Sequence, residues 1–360
     1  MSFYLFADSF GRYKVANSTS DTSLFTNLQQ RYTEVANGGG GVAVDAAGRT
    51  NNALRCYDGA GVSKTMPHSA RWVTGFAFKY DFNTPGNAAV YEIRNNDAIL
   101  FSLSIHPDGT LSLGANENVI AVTDRSLFDN TWYYLEIDAE FTGTTSVTCA
   151  ASLRINGHVE ATGSGTVSGG VTAGGLLSYP VDTSGHPSGN VHVWTGPTGG
   201  GIGGSGWFDD LYVKNAAGYY GDIRIVPLVP NGEGTTLQWT PDLGTVHYDR
   251  VNTIPEDLTK WLESNTVGNI DTWNWQDCPS FTGTIPAINI SILADKDDEG
   301  TRAFEIVVGP TGTLAASQDF YVSDVVPEYY EYGLENDPNT AAPWTQAGFN
   351  ATQWGIKLTV

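Results

Sequence analysis

Cysteine is scarce in this chain of 360 residues. Cys56, Cys149 and Cys278 stand far apart, with no CxxC pair and no histidine beside them. That spacing argues against a disulfide framework or a zinc site and leaves buried thiols as the expectation. Basic residues are few as well, 18 Lys and Arg against 39 Asp and Glu, for a net charge of −21. So acidic a surface repels phosphate backbones, which excludes nucleic acid as a partner. No apolar run approaches the roughly 18 residues that a bilayer crossing needs, so no membrane partner is expected either. The opening MSFYLFADSFGRY has no basic flank ahead of an apolar run and reads as a strand, not a secretory leader. Synthesis and folding in a cytoplasm are the expectation. What is plentiful is aromatic or small: 17 Tyr, 15 Phe, 10 Trp and 42 Gly, the composition of many strands joined by tight turns.

The chain is long enough for one or two domains. Its charge divides unevenly: residues 1–217 carry 19 Asp and Glu against 12 Lys and Arg (−7), residues 218–360 carry 20 against 6 (−14). The pivot is the stretch 206–226, GWFDDLYVKNAAGYYGDIRIV. Residues 207–213 read as the closing strand of one β domain, and 222–226 as the opening strand of another. Ahead of the pivot, residues 51–57, 72–82 and 132–141 alternate like strands. Val73, Gly75, Ala77 and Lys79 share one face of the second of these. In the third, Leu135, Ile137 and Ala139 face one way and Glu136, Asp138 and Glu140 the other. Residues 100–113 form a hairpin around Pro107-Asp108-Gly109, and Asn156-Gly157 is a second hairpin turn. Glycine-rich tracts at 163–175 and 196–206 read as loops. Past the pivot, strands are expected at 222–229, 235–240, 272–275, 286–294, 303–308 and 353–360. Residues 254–262 read as a helical turn, with Thr253 as cap and Pro255 in the first turn. An all-β chain of two sandwiches is the economical reading.

Three features in order, Asn130-Thr131-Trp132-Tyr133, Leu153-Arg154-Ile155-Asn156-Gly157 and Trp207-Phe208-Asp209-Asp210-Leu211-Tyr212-Val213, resemble a concanavalin A-like, laminin-G-type jelly roll. The second half carries a longer series. It runs from Gly221-Asp222-Ile223-Arg224 through Pro230-Asn231-Gly232-Glu233-Gly234, Trp239-Thr240-Pro241 and Val267-Gly268-Asn269-Ile270-Asp271-Thr272. Lys296-Asp297-Asp298-Glu299-Gly300-Thr301-Arg302, Glu335-Asn336-Asp337-Pro338-Asn339-Thr340, Trp344-Thr345 and Trp354-Gly355-Ile356-Lys357 complete it. Together these resemble virion proteins of tailed bacteriophages in which such a domain follows a laminin-G-like one. The resemblance implies a structural component exposed on the particle, as a head decoration, a head fibre or a tail element. It implies other capsid or tail proteins and host-surface glycans as partners, and a homo-oligomer. It supplies no catalytic residues, so a non-enzyme is expected. The alternatives are a glycan depolymerase of the β-glucanase type and a free carbohydrate-binding protein.

The depolymerase alternative rests on Glu136, Asp138 and Glu140. Lichenase-type β-glucanases carry an E-x-D-x-E strand as nucleophile, helper and acid on a similar fold. Along a strand, such neighbours sit about 6.6 Å apart and the outer pair about 13 Å. A retaining pair needs carboxyl groups roughly 5–5.5 Å apart. The bland reading is an exposed acidic face over an apolar one. Laminin-G-like sandwiches also hold a structural calcium, and Asp8, Asp209 and Asp210 are its candidate ligands here. Gly199, Gly201 and Gly204 have G-x-G-x-x-G spacing but lack a preceding strand and a following helix, so they read as a loop. Trp132, Trp194, Trp207 and Tyr179 are candidates for stacking on sugar rings.

Overall fold

The computed structural model describes residues 5–13, 15–17, 22–36, 41–46, 48–49, 52–57, 60–66, 69–82, 87–95, 98–116, 118–142, 147–167, 190–197, 204–310, 312–323 and 326–360. The chain is all-β and falls into two units, Met1–Ile225 and Val226–Val360.

In the first unit two antiparallel sheets face each other. The nine-stranded sheet runs, edge to edge, His158–Val167, Val147–Ile155, Tyr133–Thr142, Arg71–Phe82, Gly204–Lys214, Ala53–Tyr57, Val42–Asp45 and Ala16–Asn17. Its ninth strand, Leu5–Asp8, also pairs with Gly204–Lys214. The seven-stranded sheet runs Asn118–Val122, Leu111–Ala115, Ala98–Ile105, Ala88–Asn95, Asn190–Pro197, Ala60–Thr65 and Glu34–Ala36. Strand alternation puts Phe76, Phe78, Leu135, Ile137, Ala139 and Phe208 of the larger sheet inward, against Tyr91, Ile93, Phe101 and Leu103 of the smaller. The Tyr91 ring stacks on Phe76 at 6.0 Å, and its hydroxyl shares a 2.8 Å hydrogen bond with Thr74 Oγ1, so this buried polar pair is satisfied. Asn156 and Gly157 both have positive φ (50° and 83°), as a tight two-residue hairpin turn requires.

The second unit is a smaller sandwich. A six-stranded sheet orders Pro230–Leu237, Ile270–Trp275, Gln353–Leu358, Arg302–Gly309 and Ala315–Ala316, with Phe320–Val322 also on Arg302–Gly309. A ribbon of Ile288–Ala294 and Glu328–Leu334 supplies Ile290 and Leu334 to its core, beside Phe304, Ile306, Trp344, Trp354 and Ile356.

Three local expectations are corrected, and one helix is added. Residues 222–229 form no strand; the Gly221 and Ile225 amides donate to Glu136 and Asp210 of the first unit's sheet, and the compact units divide at 225/226 instead of 217/218. Residues 254–262 form no helix. Thr253 Oγ1 does accept from Asp257 N–H, but the chain turns and ends in the short strand Leu262–Glu263. A helix does occur at Thr22–Arg31, where Leu24 and Leu28, one turn apart, are buried and Ser/Thr neighbours hid the pattern. The tract at 163–175 begins inside a strand, because Gly163 lies against the Ile120 carbonyl where a Cβ would not fit.

Candidate functional site

The outward face of the nine-stranded sheet gathers most of the residues singled out above. Three rows cross it. In the first, Trp132 leads into Tyr133–Thr142 beside Lys79, Lys79 pairs with Trp207, and Trp207 pairs with Arg55. In the second, Tyr134 lies beside Ala77, which pairs with Asp209. In the third, Arg154, Glu136, Gly75 and Tyr212 are neighbours in register.

The first row is a ladder of cations and rings. Lys79 Nζ lies 5.1 Å from the Trp132 ring centroid and 4.6 Å from that of Trp207. On the next strand, Arg55 Cζ lies 4.7 Å from the Trp207 ring and 4.3 Å from that of Tyr57. Arg55 also donates from Nε to Ser205 Oγ at 3.0 Å and meets Asp45 at 3.4 Å, while Trp207 Nε1 donates to Asp45 at 2.9 Å. Trp132, Lys79, Arg55 and Tyr57 are half-buried. Among the described residues, Lys79 has no carboxylate within ion-pair distance. Burial holds its ammonium below the ordinary lysine range, against the weaker pull of Asp45. Trp207 is 7% exposed between two cations and is no open stacking surface, contrary to its expected role. Trp132 keeps its candidacy. Tyr179 and the side chain of Trp194 lie outside the described residues.

The third row holds Glu136, and Asp138 and Glu140 follow it along the same strand face, with Glu136 and Asp138 buried and Glu140 still partly exposed. A strap, residues 218–225, crosses over Glu136. Glu136 is fully buried and its Oε1 accepts from Tyr212 Oη at 2.9 Å and from the Gly221 amide at 2.7 Å. The Tyr212 hydroxyl accepts in turn from the Tyr220 amide at 3.2 Å. Tyr220 packs on Tyr212 at 4.8 Å and Tyr219 on the Arg154 guanidinium at 4.2 Å. Gly75 makes this possible, since a Cβ there would run into the Tyr212 ring. Asp138 is clamped by both arms of Arg71 at 2.8 and 2.6 Å, and Glu140 completes that group at 3.5 Å. As the residues stand, Glu136 has neither water access nor space for a sugar, so glucanase-type acid–base chemistry is not assembled.

The three candidate calcium ligands are not brought together. Asp8 turns to the core side with Phe6, where it accepts from the Phe10 amide (2.9 Å), Tyr13 (3.1 Å) and Tyr32 (3.0 Å). Asp209 and Asp210 serve the outward side. Asp209 accepts from the Arg49 and Asp210 amides, each at 2.8 Å, and Asp210 Oδ1 accepts from the Ile225 amide at 2.8 Å. The β-bulge between Asp209 and Tyr212, with Asp210 at φ 50°, aims the second carboxylate at the strap. Burial, then the neighbouring Asp210, raises the Asp209 carboxyl to about 7. Among the described residues no group of three or more metal-ligating side chains occurs.

Lys79, Arg55, Tyr212 and the strap tyrosines were not picked out by sequence. One signal was available: Gly75 and Ala77 are small residues on a strand face that would otherwise be polar, which marks a face with something lying on it.

No family model and no curated protein matches this chain. Solved structures similar to it include an alginate lyase bound to an alginate trisaccharide, 9% identical over 59% of this chain and 98% of that one, with a TM-score of 0.40. An endo-β-1,4-glucuronan lyase from the fungus Trichoderma reesei is 11% identical over 51% and 91%, with a TM-score of 0.36. An alginate lyase of polysaccharide lyase family 7 is 12% identical over 49% and 82%, with a TM-score of 0.35. These likenesses concern fold; the similar structures are named as polysaccharide lyases, against the expectation of a non-enzyme.

Proposed function

We propose that this chain is a glycan-active protein of a tailed-phage particle, a polysaccharide depolymerase whose first unit engages its substrate at the Trp132–Lys79–Trp207–Arg55 row. The observation that carries the reading is that row itself, two half-buried cations interleaved with three aromatic rings on one sheet face. Sugar sites combine aromatic surface with a few fixed polar groups, and here the rings, Ser205, Asp45 and two cations stand together. Cleavage of a polysaccharide, the activity named for the similar structures, is the form of the reading tested first. The particle location is supported by the residue series of the second half, from Gly221 to Lys357.

The test is a panel of neutral and acidic polysaccharides, scored for viscosity loss and for new unsaturated or reducing ends. Cleavage that drops at least about tenfold in Trp132→Ala is the expected result. A panel neither bound nor cleaved by the folded protein overturns the glycan reading. Mass spectrometry of purified particles tests the location separately.

A further inference from the structure

We infer that the row selects acidic glycans, with the Lys79 ammonium as the seat of a carboxylate or sulfate group of the polysaccharide. The inference rests on the glycan reading and goes further by naming the charge of the substrate.

Four observations carry it. First, Lys79 is half-buried between two indoles and, among the described residues, no carboxylate is within ion-pair distance, although the chain has 39 Asp and Glu. Three other cations on this face are paired, Arg71 with Asp138, and Arg49 and Arg224 with Asp222, while Arg154 is covered by the Tyr219 ring. A desolvated, unpaired ammonium is costly, and an incoming anion removes that cost. Second, the two indoles hold the Lys79 side chain in place before any ligand arrives, so little rotamer freedom is lost on binding. Third, Arg55 stands across Trp207 on the far neighbouring strand. Two strand spacings, roughly 9–10 Å, approximate the repeat of a disaccharide in an extended chain. Arg55 meets Asp45 at 3.4 Å through one nitrogen, and a second anion would compete with that contact. Fourth, the negative field of the whole chain, screened over about 8 Å at physiological salt, does not cancel an ammonium at contact distance.

The experiment compares matched polymers on the full chain: a polyuronate and its carboxyl-reduced form, and a sulfated galactan and its desulfated form. Binding is measured by calorimetry at several salt concentrations for the native protein, Lys79→Met and Lys79→Arg. Methionine keeps the aliphatic packing between the indoles, and melting temperatures verify that both variants fold. The expected result is that an acidic polymer binds at least about tenfold tighter than its neutral partner. That preference should weaken with salt, vanish in Lys79→Met and return in Lys79→Arg. Preference for the polyuronate or for the sulfated galactan tells which anion the ammonium seats. Equal binding of acidic and neutral forms, or a preference that survives Lys79→Met, overturns the inference and leaves the glycan reading standing. Failure to bind any of the four polymers counts against both.

Discussion

Glu136 tests what a buried carboxylate is for. Its oxygen holds the Tyr212 hydroxyl and the Gly221 amide, and Ala in its place leaves both donors buried and unpaired. Glu136→Ala should therefore cost about 2–4 kcal/mol in denaturant unfolding, while Glu136→Gln, which keeps an acceptor oxygen, should retain most of the stability and any glycan activity. Loss of activity in a folded Glu136→Gln protein would instead make the residue catalytic. Asp209 predicts a pH dependence. Its carboxyl is raised to about 7 in the folded state, whereas an unfolded Asp ionises near 4. Between those values the folded chain holds a proton that the unfolded chain has released, so stability falls as pH rises. The contribution is complete below about pH 4 and gone above about 7, and at about 1.36 kcal/mol per unit it amounts to at most about 4 kcal/mol. Melting curves across this range should show the native protein losing more than Asp209→Asn; parallel slopes for the two would refute the assignment.

At the scale of elements, the row structure follows from strand alternation and register, and alternation was readable. Residues 132–141 and 72–82 form strands with the faces their sequences implied, and the Asn156-Gly157 turn lies where expected. Register was not readable, because it depends on which strands become neighbours. Nothing local to Trp132, Lys79, Trp207 and Arg55, spread over more than 150 residues, says that they meet. The strap was misread for a related reason. Residues 222–226 have the composition of a strand, yet the Ile225 amide, like that of Gly221 just before them, donates to a side chain, Asp210 and Glu136 respectively, which no periodicity reveals. Gly75 is the element-level test. Gly75→Ala forces the Tyr212 ring off its seat, and should destabilise the first unit by about 1–3 kcal/mol. It should also make the strap a preferred protease site, and a protease pattern unchanged from the native protein would mean the ring had found another place.

For the whole molecule, the boundary at Ile225 is a statement about what folds together. A fragment of residues 1–225 should melt above a fragment of residues 1–217, because the shorter one uncovers Glu136 and Tyr212. A difference of about 2–3 kcal/mol corresponds to roughly 5–10 °C for a domain of this size. Equal melting temperatures would return the boundary to residue 217. The anchoring of the strap also has a mechanical side. Tension applied to the chain beyond residue 225 reaches the Ile225–Asp210 and Gly221–Glu136 hydrogen bonds before it reaches any strand of the larger sheet. Those contacts act as a fuse in series with the sandwich. In a pulling experiment they should yield first, lengthening the chain by at most about 3 nm for eight residues, and leave the glycan row intact while the tether pays out.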